Sequence, residues 1–333
     1  MDETLQMRVH GDGSLPALVY LPGMHGDWTL VSSFRAAVAG KVRFVEFAYP
    51  RTTTWSLGDY AGAIEQSLLA RGVDCGWLLG ESYGSQPAWE LVRRFLDHPR
   101  RRLGTQVAKE PGSAGSGASV PAAPAGVPPA SEPKLGARGP AGKADSFSAA
   151  APILPAPSVH VSDIGGKGGA GFRPLGLVLA GGFVKHPVNW AVRLAARFSG
   201  AVPLGFVRAF CGVYSRYATF RHRRAPETLA SITEFVANRV DESDRRAIVQ
   251  RYRIIAENDL RPVARRFHLP VFYLAGLVDP LVPWCYVRWW LRANCPGYRG
   301  GKTVWRADHN VLGTAPEAAA RLILAWMTRA GGG

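Results

Sequence analysis

Three features of the sequence predict an α/β fold with a mostly parallel central sheet flanked by helices. Short apolar runs read as strands, longer amphipathic runs read as helices, and the two alternate along the chain. Strands covered on both faces have no polar side, so they read as nearly unbroken apolar stretches. Such runs lie at Ala17–Leu21, Val42–Ala48, Cys75–Leu79, Leu175–Ala180, Val271–Ala275 and Lys302–Arg306. The runs between them predict helices near Leu30–Ala39, Leu57–Ala70, Tyr83–Asp97, Pro283–Ala293 and Pro316–Arg329. Pro316 followed by Glu317 suits a helix start, because proline lacks an N–H that would be unpaired there and an acid complements the dipole. At the front, Leu5–His10 reaches Gly11-Asp12-Gly13, a turn that predicts an antiparallel pair.

Composition narrows the class. The chain has 333 residues, 47% hydrophobic and 20% charged, with ten Trp to bury, which excludes a collagen-like or wholly disordered chain. No apolar run approaches the ~18–20 residues of a spanning helix. The start, MDETLQMRVHGDGS, has no basic segment leading into an apolar one, so no secretory signal is expected. Cys75, Cys211, Cys285 and Cys295 show neither CxxC spacing nor a paired framework. Reduced thiols in a cytoplasm follow, with no disulfide and no metal site expected.

Two stretches depart from the alternation. Residues 99–174 hold twelve Pro and thirteen Gly in 76 positions, too little apolar surface to offset the entropy of ordering. They read as a low-complexity insertion, disordered over about 104–170. Within it Gly166–Gly171 matches GxGxxG formally, but a dinucleotide loop needs a strand before it, and here the strand follows. The second stretch, Phe183–Phe267, has no strand signal and reads as a helical cap, with helices near Asn189–Phe198, Leu204–Phe220, Pro226–Val240 and Ser243–Asp259. It carries 16 Lys/Arg against 7 Asp/Glu, which is +9 of the net +15, densest at Arg221-His222-Arg223-Arg224. A solvated Arg-rich surface is the plainer reading, and attraction of anionic substrates or membrane surfaces the sharper one. No nucleic-acid partner is expected, and the oligomeric state is not legible. Leu204, Val207, Phe210, Cys211, Tyr214 and Ala218 repeat at helical spacing, as a face packed on the cap or lining a pocket would. Trp284, Tyr286, Trp289 and Trp290 serve helix packing, with some of them walling the pocket.

The chemistry concentrates at Gly80-Glu81-Ser82-Tyr83-Gly84, directly after an apolar strand and opening a helix. GxSxG in that context sets a serine on a turn so tight that side chains two before and two after would collide. The helix start then aims backbone N–H groups at a developing oxyanion. An acid and a histidine should follow in that order. Asp279 lies just past Val271–Ala275, and His309 just past Lys302–Arg306. Asp308 is a weaker candidate acid, because adjacent side chains diverge. An oxyanion donor is expected in Leu21-Pro22-Gly23-Met24-His25-Gly26, as the N–H of Met24 (alternatively His25), paired with that of Tyr83.

With these residues in place, the chain resembles the α/β-hydrolase superfamily, its serine-nucleophile, esterase- and lipase-like branch. The matching pieces are LVYLPGMHG, LLGESYGS, LVLAGGF, LPVFYLAGLVDPLVP and ADHNVLGTAPEAAARLILAWM. They cover about 1–98 and 175–330, so the core would comprise 1–98, 175–182 and 268–330. The resemblance implies Ser82 as nucleophile, His309 as general base and acid, and Asp279 as the residue orienting it. It implies an acyl-enzyme route on a small-molecule ester or thioester, with no metal or organic cofactor. Other reactions of the same triad (carbon–carbon bond hydrolysis, lyase chemistry, cofactor-free perhydrolysis) are the alternative, and a non-catalytic binding protein the third. The chain departs from the common pattern in Pro22-Gly23, where many members have His-Gly, and in lacking the HGGG form. Both departures bear on the oxyanion loop. The resemblance also sets the cap over the edge that carries Ser82 and the low-complexity insertion at the opposite edge.

Overall fold

A computed structural model describes residues 4–98, 171–201 and 241–331, with single residues between 202 and 240. Among these, seven strands form one sheet: β1 (Gln6–His10), β2 (Ala17–Leu21), β3 (Arg43–Ala48), β4 (Cys75–Glu81), β5 (Arg173–Ala180), β6 (Val271–Val278) and β7 (Tyr298–Asp308). Their spatial order is β1-β3-β2-β4-β5-β6-β7. All neighbours from β3 to β7 run parallel, and only β1 is antiparallel. The helices are α1 (Ser32–Val38), α2 (Leu57–Ala70), α3 (Ser85–Asp97), α4 (Asn189–Ala201), α5 (Glu242–Glu257), α6 (Arg261–Arg265), α7 (Trp284–Asn294), α8 (Val311–Thr314) and α9 (Pro316–Gly331).

The unbroken apolar runs are explained by cover on both faces. Side chains alternate across a strand, so Val19, Leu78, Leu179 and Tyr273 point into one layer with Tyr60 of α2, Trp89 of α3 and Leu291 of α7. Leu18, Leu79, Val178 and Leu274 point into the other, with Phe34 of α1 and Ile323 of α9. Each fully buried aliphatic side chain of this kind contributes about 1.5–3 kcal/mol. Helix α2 begins where a capping box allows it: Ser56 accepts from the Asp59 N–H, and Asp59 returns the bond to the Ser56 N–H.

Several sequence expectations need correction. The first strand pairs with β3, not with the strand that follows its turn, because β2 lies between β3 and β4 and both its edges are taken. The low-complexity window ends earlier than 174. Phe172 is buried in the core with its N–H on Glu65 (3.0 Å), and Arg173 already pairs with Cys75. The rest of that window, including the GxGxxG match up to residue 170, lies outside the described residues. The cap is narrower than 183–267. Phe183, Val184, Leu260, Val263, Ala264 and Phe267 all belong to the sheet-facing core, and the short α6 packs on α3. The helices expected at Leu204–Phe220 and Pro226–Val240, with the arginine run at 221–224, lie outside the described residues but for single positions.

Two cap helices are described: α4 packs on α5, and α5 rests on loops that leave the C-terminal ends of β2 and β3. Arg51 pairs with Asp241 and Asp244 (both 2.9 Å), and Gln250 donates to the Trp55 carbonyl (3.2 Å). The chain flanking the low-complexity window leaves after Asp97 and re-enters beside Cys75, at the opposite edge. No helix among the described residues is long and apolar enough to cross a membrane.

Candidate active site

Ser82, Asp279 and His309 are each the first residue beyond a strand: β4, β6 and β7 respectively. All three therefore stand at the C-terminal edge, where parallel sheets present ligand-binding groups. Register does the rest on one side. Val278 is paired with Asp308, so the next residues of the two strands, Asp279 and His309, leave the sheet side by side. The His309 Nδ1 lies 2.8 Å from Asp279 Oδ2, and His309 Nε2 lies 2.8 Å from Ser82 Oγ.

The proton positions follow from the partners. The other Asp279 oxygen, Oδ1, accepts the N–H groups of Leu281 (2.9 Å) and Val282 (3.0 Å). A carboxylate can only accept, so His309 Nδ1 donates, and its Nε2 is left as the acceptor for the Ser82 hydroxyl. The Asp279 side chain has 0% exposure and that of His309 17%, so the acid is sealed while the imidazole meets the cleft.

The elbow is as tight as the motif requires. Ser82 has φ +49°, a left-handed conformation that L residues adopt at a cost. A Cβ on Gly80 would lie 2.8 Å from the Ser85 Cα, and one on Gly84 2.7 Å from the Pro22 carbonyl, so neither position admits a side chain without backbone movement. Ser85 braces the turn by donating to the Ser82 carbonyl (2.6 Å) and accepting from the Phe183 N–H (3.0 Å).

The loop after β2 crosses beside Ser82. A Cβ on Gly23 would sit 3.5 Å from the Ser82 Cβ. This puts the N–H groups of Met24 and Tyr83, the expected oxyanion donors, on the two segments adjoining Ser82. His25, the alternative donor, has its ring Nε2 donating to the Asp27 carbonyl (2.8 Å), whereas Ser82 is bonded to His309. Asp308 Oδ1 accepts from the Asn310 N–H (3.0 Å) and from Thr314 (3.3 Å), so it serves the start of α8.

Four residues important to this geometry were assigned no role from the sequence. Gly181 (φ +60°) ends β5, between the strands of the serine and the acid, and a Cβ there would press on the His309 ring at 3.3 Å. The imidazole reaches Ser82 by passing over this glycine. His186 stacks edge-on against Phe183, and burial pushes its pKa down, so a neutral ring stands near Asp279 and His309. Arg251 of α5 donates to the Met24 carbonyl. Glu81, inside the motif itself, is buried and takes the Tyr20 hydroxyl at 2.5 Å. Of the aromatic group on α7, Tyr286 and Trp290 line a small cavity with His186 and Arg261, Trp289 faces solvent, and Trp284 donates to the Leu277 carbonyl.

Burial is the largest influence on Glu81 and holds its carboxyl above the ordinary 4.5, against the pull of His25, Tyr20 and His309. A group bound more tightly to its proton in the folded state stabilises fully below its unfolded pKa and loses that contribution as pH rises through the folded one. Glu81→Gln keeps an acceptor for Tyr20 and removes the titration. Its melting temperature is expected to pull ahead of wild type progressively above about pH 4.5, and parallel melting curves at every pH would contradict this.

No protein-family model and no curated protein matches the sequence. Solved structures do match over nearly the whole chain. A hydrolase from Pseudomonas aeruginosa superposes with a TM-score of 0.61 at 14% identity, covering 97% of this chain and 94% of that one. A thermophilic esterase from Thermogutta terrifontis gives 0.58 at 14% identity, over 98% and 93%. An enol-lactonase from Burkholderia xenovorans gives 0.56 at 14% identity, over 97% and 96%. Identities this low speak to architecture alone. By its parallel sheet, its strand-to-helix elbow and these superpositions, the chain has the α/β-hydrolase fold.

Proposed function

We propose that this protein is a serine hydrolase that cleaves a carboxylic ester or thioester of a small molecule through an acyl-enzyme. The supporting observation is the unbroken Ser82–His309–Asp279 relay, with both links at 2.8 Å. Ser82 Oγ attacks the substrate carbonyl while His309 Nε2 takes its proton, and the imidazolium so formed is stabilised by Asp279. The carbonyl oxygen becomes an oxyanion held by the N–H of Tyr83 and by that of Met24 or, in the alternative, His25, with about 3 kcal/mol from each donor. His309 returns the proton to the leaving alcohol or thiol. A water then gives its proton to His309 and attacks the acyl group, and collapse of the second tetrahedral intermediate releases the acid and frees Ser82.

Cys75, Cys285 and Cys295 are free thiols, which fits a reducing compartment, and we place the protein in the cytoplasm on that ground. The test is a fluorophosphonate probe with the adduct mapped by mass spectrometry, followed by nitrophenyl esters and thioesters of increasing acyl length. Labelling of Ser82 and turnover of part of the panel are expected. An unlabelled Ser82 in folded protein would overturn the reading in favour of a binding role. Labelling without ester or thioester turnover would favour another reaction of the same triad.

A further inference from the structure

We propose that Arg251, which belongs to α5 and not to the sheet, is a positioning residue for the oxyanion loop. Its guanidinium fixes the orientation of the Met24–His25 peptide and sets a buried positive charge beside the site. The inference rests on the hydrolase reading above.

Arg251 is 3% exposed, and among the described residues no carboxylate pairs with it. A guanidinium is costly to bury, so its donors are expected to be used for something. Its Nη1 donates to the Met24 carbonyl at 2.7 Å, while its Nε has no partner. The guanidinium also lies 5.6 Å from the centre of the Tyr49 ring, within reach of its π face.

The carbonyl it holds is the informative one. In a trans peptide, C=O and N–H point opposite ways, so fixing one fixes the other. The candidate oxyanion donors are the N–H groups of Met24 and His25, whose peptides carry the Gly23 and Met24 carbonyls. Gly23 O is occupied by the Gly26 N–H (3.0 Å), inside the loop. Met24 O is occupied by Arg251. With both carbonyls engaged, neither is free to swing towards an oxyanion and repel it, and the charge on Arg251 polarises the second peptide in the favourable sense.

The rest of the loop is shaped to accept this side chain. Gly26 has φ +82°, and a Cβ there would fall on the guanidinium. The Gly26 carbonyl in turn accepts the Tyr49 N–H (2.7 Å), which fastens the loop to the chain beyond β3.

The experiment compares wild type with Arg251→Met and Arg251→Gln, using the best ester of the panel and a trifluoromethyl ketone that forms a hemiketal oxyanion. Each variant is expected to lower kcat about 10²-fold with KM little changed, and to weaken the ketone by a similar factor. Arg251→Ala should regain part of its rate on adding guanidinium below denaturing concentrations. A fall in melting temperature with kcat and ketone affinity intact in either folded variant would overturn the inference and leave a purely structural arginine. The two readings fail separately. If wild type is not labelled at Ser82, the hydrolase reading falls and this inference with it. If wild type is labelled and the variants match it in kcat and ketone affinity, this inference alone falls.

Discussion

Ser82→Ala and His309→Ala are each expected to lower kcat by about 10⁶-fold, and the double variant to be no slower than either. The reason is the single chain of hydrogen bonds. Ser82 Oγ is bonded to His309 Nε2 at 2.8 Å, so in the proposed reaction the base takes this proton and the nucleophile uses this base. Removing either ends the same step. What survives is the work of the oxyanion donors and of binding, about 10³–10⁴-fold over water. Little stability should be lost, because His309 is 17% exposed and water can replace the hydroxyl at Nε2. Single-turnover kinetics beside melting curves check both halves. Losses that multiply in the double variant would show that serine and histidine act in separate steps, against the relay.

The parts of this molecule that were legible from residue order are those set by local pattern. Ala17–Leu21 and Leu57–Ala70 are found at their predicted bounds, the first because it is buried throughout, the second because a capping box fixes its start. The last strand was legible only in its middle. Gly300 and Gly301 have no strand propensity, and they enter β7 because Phe272 and Tyr273 supply the pairing. Ser82, Asp279 and His309 were legible because each needs a strand before it, and a strand end can be read locally. Gly181 and Arg251 were not. Gly181 is required by a ring 128 positions away, and Arg251 by a carbonyl 227 positions away, and neither demand marks the neighbouring sequence. The boundary of the cap failed for a related reason: Leu260, Val263 and Phe267 have helical spacing whether they face a cap or the sheet, and only packing decides.

Asp279→Asn is expected to lower kcat by about 10⁴-fold with the fold intact. An amide, which both donates and accepts, allows the histidine to adopt the wrong tautomer. Here the surroundings force that outcome. Asp279 Oδ1 takes two backbone N–H groups, from Leu281 and Val282. An asparagine is expected to keep its carbonyl oxygen on that side, because its NH₂ facing two donors would break both of those bonds. The NH₂ is thereby turned to His309 Nδ1, which must give up its proton to accept. The proton moves to Nε2, and the nitrogen facing Ser82 becomes a donor with nothing to take from the hydroxyl. Neither group is proposed to hold the bound substrate, so KM should stay near the wild-type value while kcat falls. The imidazole tautomer can be read directly by ¹⁵N NMR of His309. A variant that keeps its rate, or loses it with Nδ1 still protonated, would show that Asp279 does not set the state of the base.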